Sequence, residues 1–479
     1  MTNIINVNLD NLVNNFQYFY NNFEEKNIKI FPVVKGNAYN IGCSIVVKIL
    51  NEKFNCRDFF VYSLDEAVYL KNIFKDFNFY SLGGIKLNQE KIFFDNKITP
   101  IVNSIKQLKR YSIFHNSDVI LQFNSGMNRN GINIHEIENA LDIIGKSKLK
   151  VKFIMSHLAC ADDRNNPMTI QQLNNFKIIS NYFPGVEKSI AATDGIINIE
   201  DDNLYDIVRV GGGLYGFNYS DKLDNVLSLL SQIKKKNNLY YINLGRNNGI
   251  FKYFEKNGFV LYKNKKIMIK RVLNNKIILD TNKKHLKNKF CLICGKDKEC
   301  FIDINIFSKN MGLIPYEAQV RLLENVKSRK NFKINYFYDN KKCNYKFDQI
   351  PVIYENKNVV SDEKIISSII EIRTIYEEGW VGYGAKYKVK KGDIIATFDI
   401  GYINGISRNV INKCVFVQAN NGKYEKCKII GNISMDQTTI LLNSDNFSIG
   451  NKIIVCKNKK YYRKYKDIFF MSRNRNKKE

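Results

Sequence analysis

Phe31–Gly42 reads FPVVKGNAYNIG. An apolar run that begins at Ile28 stops at Lys35, so the lysine stands at the end of a predicted strand. Working outward, further short apolar runs follow at Phe59–Tyr62, Phe77–Leu82, Val119–Phe123, Val151–Met155 and Ile207–Val210. Amphipathic stretches such as Ser63–Phe74, Ile134–Ile144 and Thr169–Tyr182 lie between them. This alternation of strand and helix implies a parallel sheet. About eight units over roughly 200 residues fit a (β/α)8 TIM barrel, which builds its site at the C-terminal ends of its strands. Lys35 occupies such a strand end. In apolar surroundings a lysine amine loses its charge more easily and can form a Schiff base. Taken alone it could equally be an ordinary strand-end lysine, because the chain holds 74 lysines and arginines.

Composition narrows the class. The chain has 479 residues, 44% hydrophobic and 25% charged, as in a globular protein with two or three cores. MTNIINVNLDNLV at the start has neither a basic region nor a long apolar stretch, which argues against a signal peptide. No apolar run reaches the roughly 18 residues of a membrane span. A cytoplasmic protein with no membrane partner is expected. The net charge of +28 is spread along the chain, with Lys mixed everywhere among Asn and Ile. That pattern reads as coding bias rather than the clustered stripe of a nucleic-acid binder, so no nucleic-acid partner is expected. The ten cysteines show no framework spacing. Cys291, Cys294 and Cys300 are the tightest group, but Leu292 and Ile293 between them read as strand, so no metal is expected.

Beyond residue 218 strand-like segments dominate, including Asp393–Phe398, Cys414–Gln418, Lys428–Ser434 and Lys452–Cys456. Two polar stretches, about 219–236 and 340–360, read as linkers. This region repeats itself. Asn243–Ile250 (NLGRNNGI) parallels Asp399–Ile406 (DIGYINGI), Lys265–Asp280 parallels Tyr424–Leu442, and Lys289–Cys294 parallels Lys452–Cys456, all in the same order. Three domains follow: a barrel over 1–218, a degenerate β copy over 238–336, and a second β domain over 358–479.

The block around Lys35 resembles the VVKANAYGHG-like segment of the alanine racemase family. The resemblance continues in order through SLDEAVYL (63–70), NSGMNRNGI (124–132), MSHLACADD (155–163), SIAATDGII (189–197) and DIVRVGGGLYG (206–216). It resumes in GWVGYGAKY (379–387), IGYINGISR (400–408) and GNISMDQ (431–437). It implies a PLP-binding (β/α)8 barrel followed by a mostly β C-terminal domain, with pyridoxal 5'-phosphate as cofactor and alanine as substrate. It further implies a homodimer with shared active sites and a place in supplying D-alanine for peptidoglycan.

Roles follow residue by residue from that resemblance. Lys35 holds PLP and serves as one base; Tyr383, supplied across a dimer interface, is the other. Two bases are required because racemisation removes a proton from one side of a carbon and returns one to the other. Arg209 faces the pyridine nitrogen and His157 packs near the ring. Tyr39, Thr193, Gly211 and Gly212 cradle the phosphate, and Tyr316 of the IPYE block bonds to it. Arg129 and the Met435 backbone N–H meet the substrate carboxylate, and Tyr402 narrows the entrance with Tyr383. The chain departs from the family pattern at Asn40 and Ile41 (usually Gly-His), at Gln122 (often a modified Lys) and at Val210 (usually Pro). The degenerate copy has Arg246 where the second has Tyr402, lacks a partner for Tyr383, and yet ends in the family's closing block, GLIPYEAQVRLLENV (312–326). The second copy keeps the chemistry and ends in a basic tail with Tyr461, Tyr462 and Tyr465. The alternative reading is a PLP-binding homologue with lost or broadened activity.

Overall fold

A computed structural model describes residues 2–217, 222–327, 332–343, 345, 348–351, 359–360, 364–406, 408 and 414–456. The basic tail and its three tyrosines lie outside the described residues. The N-terminal half begins with β1 (Asn3–Asn8). It continues through β2 (Lys29–Pro32), β3 (Asp58–Val61), β4 (Asn78–Ser81), β5 (Ile101–Val102), β6 (Asp118–Gln122), β7 (Lys150–Met155), β8 (Glu187–Ser189) and β9 (Ile207–Val210). Helices separate β2 to β9, among them Cys43–Phe54, Leu64–Ile73, Ile105–Tyr111, Ile137–Ser147 and Pro167–Asn181. Each apolar run of this half overlaps a strand, because each holds several bulky side chains that fit a buried sheet. The helix ends are as local. Asn8 accepts from the N–H groups of Asp10 and Asn11, and Asn166 caps a helix whose first residue is Pro167.

Two compact units make up the chain. The first comprises Met1–Val61, Asn72–Asn78 and Val208–Ile350. In it the Val33 N–H donates to the Val210 carbonyl (2.8 Å) and the Val34 N–H to the Phe60 carbonyl (2.8 Å), so the end of β2 sits beside the ends of β9 and β3. A long sheet fills the rest. Its centre is β10 (Leu227–Gln232), antiparallel to β1 on one side and to Phe290–Asp297 on the other. This corrects the expected linker at 219–236: LSLLSQ is a strand buried along most of its length, hidden in the sequence by the polar residues that flank it. Part of the second expected linker is strand as well, at Lys341–Cys343 and Val359–Val360. Cys291 and Cys294 lie in Phe290–Asp297, where burial pushes both thiols up to about 12.

The second unit comprises Tyr62–Lys71, Phe79–Ile207 and Pro351–Glu479. Strands β5 to β8 pair in parallel, in chain order. Its β-rich part closes on itself. Lys364–Thr374, Ile394–Phe398, Thr438–Leu442, Tyr424–Ile430, Cys414–Gln418 and Lys452–Cys456 pair in that order, and the last pairs back to the first. Closure removes the open strand edges that invite association. Ile365, Ile369, Phe398, Val415, Val417, Ile429, Ile440 and Ile453 fill the interior.

Candidate active site

Lys35 opens a left-handed turn. Gly36, Asn37, Ala38, Tyr39 and Asn40 all have positive φ, between 53° and 69°. For residues with a Cβ this conformation costs about 1–2 kcal/mol each, so neighbouring groups must hold it. Asn37 Oδ1 accepts from the Cys43 N–H (2.7 Å), and the Tyr336 hydroxyl donates to the Ile41 carbonyl (2.7 Å). The helix Pro315–Lys327, which carries the closing block of the first β region, supplies the rest. Gln319 Nε2 donates to the Tyr39 carbonyl (3.3 Å), and Asn40 Nδ2 donates to the Val320 carbonyl (3.1 Å). The departure at Asn40 thus has a reason: asparagine tolerates the left-handed region, and its amide ties the turn to that helix.

The same helix delivers Tyr316. Its ring lies 4.9 Å from Phe217 and 6.0 Å from Tyr39, centroid to centroid. A Cβ on Gly212 would lie 2.0 Å from the Tyr316 hydroxyl, and one on Gly211 would lie 3.1 Å from the Tyr39 hydroxyl. Two hydroxyls therefore converge on one stretch of backbone that only glycine leaves open. That arrangement fits a phosphate, which accepts hydrogen bonds from hydroxyls and main-chain N–H groups. Arg209, in β9 just before the glycines, is buried. Sequence reasoning placed Lys35, Tyr39, Arg209, Gly211, Gly212 and Tyr316 in one site, and all six lie in this unit.

The other unit gathers a second set. His157 follows β7, and its Nε2 lies 2.7 Å from the Tyr383 hydroxyl. The Arg129 guanidinium lies 5.0 Å from the centre of the Tyr383 ring. Arg129 Nε is buried without a hydrogen-bond partner among the described residues. Thr193 is buried at the start of the helix Thr193–Asn198. Burial, with Asp162 adding to it, raises the neighbouring Asp194 carboxyl to about 6. Gln122 ends β6 and is buried. Tyr402 and Met435 are buried side by side in sequence register, since the Tyr402 N–H donates to the Ser434 carbonyl and the Ile403 N–H to the Met435 carbonyl (both 3.1 Å).

Two sequence profiles match the chain: alanine racemase, N-terminal domain, over residues 7–219, and alanine racemase, C-terminal domain, over 364–469. The chain belongs to the alanine racemase family. The alanine racemase of Rickettsia typhi is 26% identical over 415 residues, which is 85% of this chain and 79% of that protein. That of Rickettsia rickettsii is 34% identical over 221 residues, 45% of this chain and 61% of that protein. Among solved structures, alanine racemase from Bartonella henselae with covalently bound pyridoxal phosphate superposes with a TM-score of 0.63 at 23% identity. It covers 70% of this chain and 99% of its own. Alanine racemase from Clostridium difficile 630 gives 0.63 at 22% identity, over 72% and 98%. The fold is that of the family: a PLP-binding TIM barrel and a β C-terminal domain. Between the two matched ranges lies 220–363, which contains the first β region.

Sequence reasoning missed a buried polar set that fixes the second β region in its unit. Arg373 Nη2 donates to the Gly131 carbonyl and Nη1 to Asn133 Oδ1, both at 2.6 Å. Asp399 pairs with Lys86 and accepts from the Tyr62 hydroxyl. Burial beside Asp399 pushes Tyr62 well above the usual phenol range, so it stays a donor. Lys364–Thr374 held a usable signal. Its buried positions are Ile365, Ser367, Ile369, Glu371 and Arg373, and two charges buried in one strand need partners.

Proposed function

We propose that this chain is a working alanine racemase, a PLP-dependent isomerase that interconverts L-alanine and D-alanine with Lys35 and Tyr383 as its two bases. The observation that supports it most directly is the Tyr383 hydroxyl, held at 2.7 Å from His157 beneath the Arg129 cation. Bound PLP supplies the electron sink that makes the α-proton of an amino acid removable. Lys35 would hold the cofactor through its amine and, as one base, take or return the proton on one face. Tyr383 does so on the other, and His157 Nε2 is placed to exchange a proton with the phenol oxygen. Tyr39, Tyr316 and the Gly211-Gly212 backbone would bind the phosphate, and the resemblance alone adds Thr193 to them. Arg209, a buried cation in β9, would donate to the cofactor's ring nitrogen rather than accept a proton from it. Arg129 and the Met435 N–H take the carboxylate of alanine, and Tyr402 limits the room beside it.

The domain division is a barrel over 1–218, a degenerate β copy over 238–336 and a catalytic β domain over 358–479. The turns at 245–249 and 401–405 support the copy, as both make the same backbone hydrogen bonds. No described helix is long and apolar enough to cross a membrane, in keeping with a cytoplasmic enzyme that supplies D-alanine for peptidoglycan. A homodimer rests on the resemblance. The test is direct. Purified protein with PLP should convert either enantiomer to a mixture of both and exchange the α-proton for deuterium in heavy water. Bound PLP with neither conversion nor exchange would leave a binding protein.

A further inference from the structure

The left-handed turn after Lys35 has a second set of supports besides the closing helix. They come from the chain beyond that helix, in the same compact unit. The strand Phe332–Tyr338 runs parallel to β1, and the short strand Lys341–Cys343 pairs back on it. Asp10 fixes the bend between them, since its carboxylate accepts from the N–H groups of Asp339 and Asn340 (2.8 and 3.1 Å). Tyr336, whose hydroxyl holds the Ile41 carbonyl, meets the Tyr345 ring edge to face, with centroids 4.8 Å apart. Tyr345 in turn fills the space over Gly42, where a Cβ would lie 2.8 Å from its ring. The φ of 127° at Gly42 favours glycine on its own account.

Asp348 joins the two ends of the turn. Its carbonyl accepts from Asn37 Nδ2 (3.2 Å), inside the left-handed run. Its carboxylate sits at the start of the helix Cys43–Phe54, where Gly42 has no side chain to act as a cap. Oδ2 accepts from the Ser44 N–H (2.9 Å) and from the Tyr345 hydroxyl (2.6 Å), and Oδ1 accepts from the Ser44 hydroxyl (2.5 Å). A carboxylate in that place satisfies a free N–H and meets the positive end of the helix. Asp348 is 7% exposed, so water is a poor substitute for these bonds. Burial and the bond to Asp348 push the Tyr345 phenol well above its usual range, so it stays a donor.

We infer that Asp348 and Tyr345 are positioning residues for Lys35. They lock the residues that follow it, so that the Lys35 amine and the Tyr39 hydroxyl, which reaches the Gly211 backbone, keep a fixed separation. A cofactor joined at one end by the lysine and at the other by the phosphate cradle is then held at both. Five residues at positive φ relax toward ordinary conformations when their supports go, and the two attachments then move independently.

This inference rests on Lys35 as the residue that holds PLP, and the experiment keeps the two apart. Borohydride labelling of wild-type protein with PLP tests that reading by itself; label on another lysine refutes it, and the inference with it. With the label on Lys35, the variants decide. Full-length Asp348→Ala, Asp348→Asn and Tyr345→Phe proteins are titrated with PLP by absorbance. Their apo-forms are compared by hydrogen exchange, which reads local opening. The amides of Ala38, Asn40, Ile41 and Gly42 are all hydrogen-bonded to nearby carbonyls. In Asp348→Ala their exchange should rise at least ~10-fold, with strands β6 and β7 unchanged, and PLP should bind roughly ten- to a hundredfold more weakly. Asp348→Asn keeps an acceptor for the Ser44 N–H and should recover most of both losses. Tyr345→Phe keeps the ring over Gly42 and drops only the hydroxyl. It should show both effects at about threefold or more, and it carries the test if Asp348→Ala fails to fold. Unchanged exchange across 36–44, an even rise through the whole chain, or local opening without loss of PLP affinity each overturns the inference.

Discussion

The two β regions build the same turn and put different residues in it. In the first, Gly245 is extended, Gly249 has a φ of 81°, and the N–H groups of Arg246 and Asn247 donate to the Leu273 and Asn274 carbonyls at 2.9 and 2.8 Å. In the second, Gly401 is extended, Gly405 has a φ of 90°, and Tyr402 and Ile403 donate to Ser434 and Met435. In both, an asparagine side chain accepts from the first glycine's N–H, Asn248 in one and Asn404 in the other. Gly245 and Gly401 are both needed, since a Cβ there would strike carbonyl oxygens at 2.4 and 2.2 Å. The side chains have parted company. Arg246 and Asn274 face solvent, whereas Tyr402 and Met435 are buried. The backbone rules of a turn persist where its chemistry has gone, because the glycines and the asparagine are required for folding and the tyrosine is not. The converse holds at the ends of the regions. The first keeps the helix with Tyr316, and the second has Tyr383, for which the first has no counterpart.

The largest effect is expected at the lysine that the first region's closing helix supports. Lys35→Ala should abolish covalent PLP and lower racemisation by at least ~10³-fold, since it removes both the attachment and one base. Borohydride reduction of wild-type protein with PLP should label the peptide that carries Lys35; a label on any other lysine would refute the assignment. Tyr383→Phe tests the second region. It should retain PLP and lose ~10²- to 10⁴-fold in turnover, the range for a positioned acid or base. Because the two groups work on opposite faces, α-proton exchange from one enantiomer should suffer more than from the other. Near wild-type turnover would mean that Tyr383 is held by His157 for structural reasons alone.

How much of this was legible beforehand depended on the range of the interactions. Lys35 and the barrel strands stood out because an apolar run with a polar stop is a local pattern. The left-handed turn did not, since nothing in KGNAYN short of its glycine and asparagines marks five consecutive positive φ values; the support comes from Gln319 and Val320, some 280 positions away. LSLLSQ passed for linker because partners as distant as Asn3–Val7 and Phe290–Cys294 make it a strand. The Arg373 contacts were half legible: alternation marks the charge as buried, but its acceptors, Gly131 and Asn133, lie some 240 positions away. The likeness of 245–249 to 401–405 was plain, because glycine spacing survives in sequence when it survives in structure.

The first region's share is tested by Tyr316→Phe. A hydrogen bond to a charged group is worth about 1.5–3 kcal/mol, so the variant should bind PLP ten- to a hundredfold more weakly while turnover at saturating PLP changes little. Titration of apo-protein by absorbance measures it. Unchanged affinity in this variant, with a loss on replacing Tyr461, Tyr462 or Tyr465, would move the phosphate anchor to the tail and leave the first β region as a buttress of the Lys35 turn.

The smallest effect is expected where the two turns correspond most closely. Arg246→Ala removes an exposed side chain whose neighbours in the turn are held by backbone bonds, and exposed substitutions of that kind shift stability by no more than about 0.5 kcal/mol. Racemisation and PLP affinity should stay within about twofold of wild type. Tyr402→Ala, at the matching position, empties a buried site that is 4% exposed; it should lower kcat/KM for alanine at least ~10-fold and relax the limit on side-chain size, a discrimination of the order that one or two carbon groups in a pocket provide. Comparing alanine with serine as substrate separates the outcomes. If Arg246→Ala also changes that ratio, the first turn faces substrate after all, and the two regions share the pocket as well as the backbone.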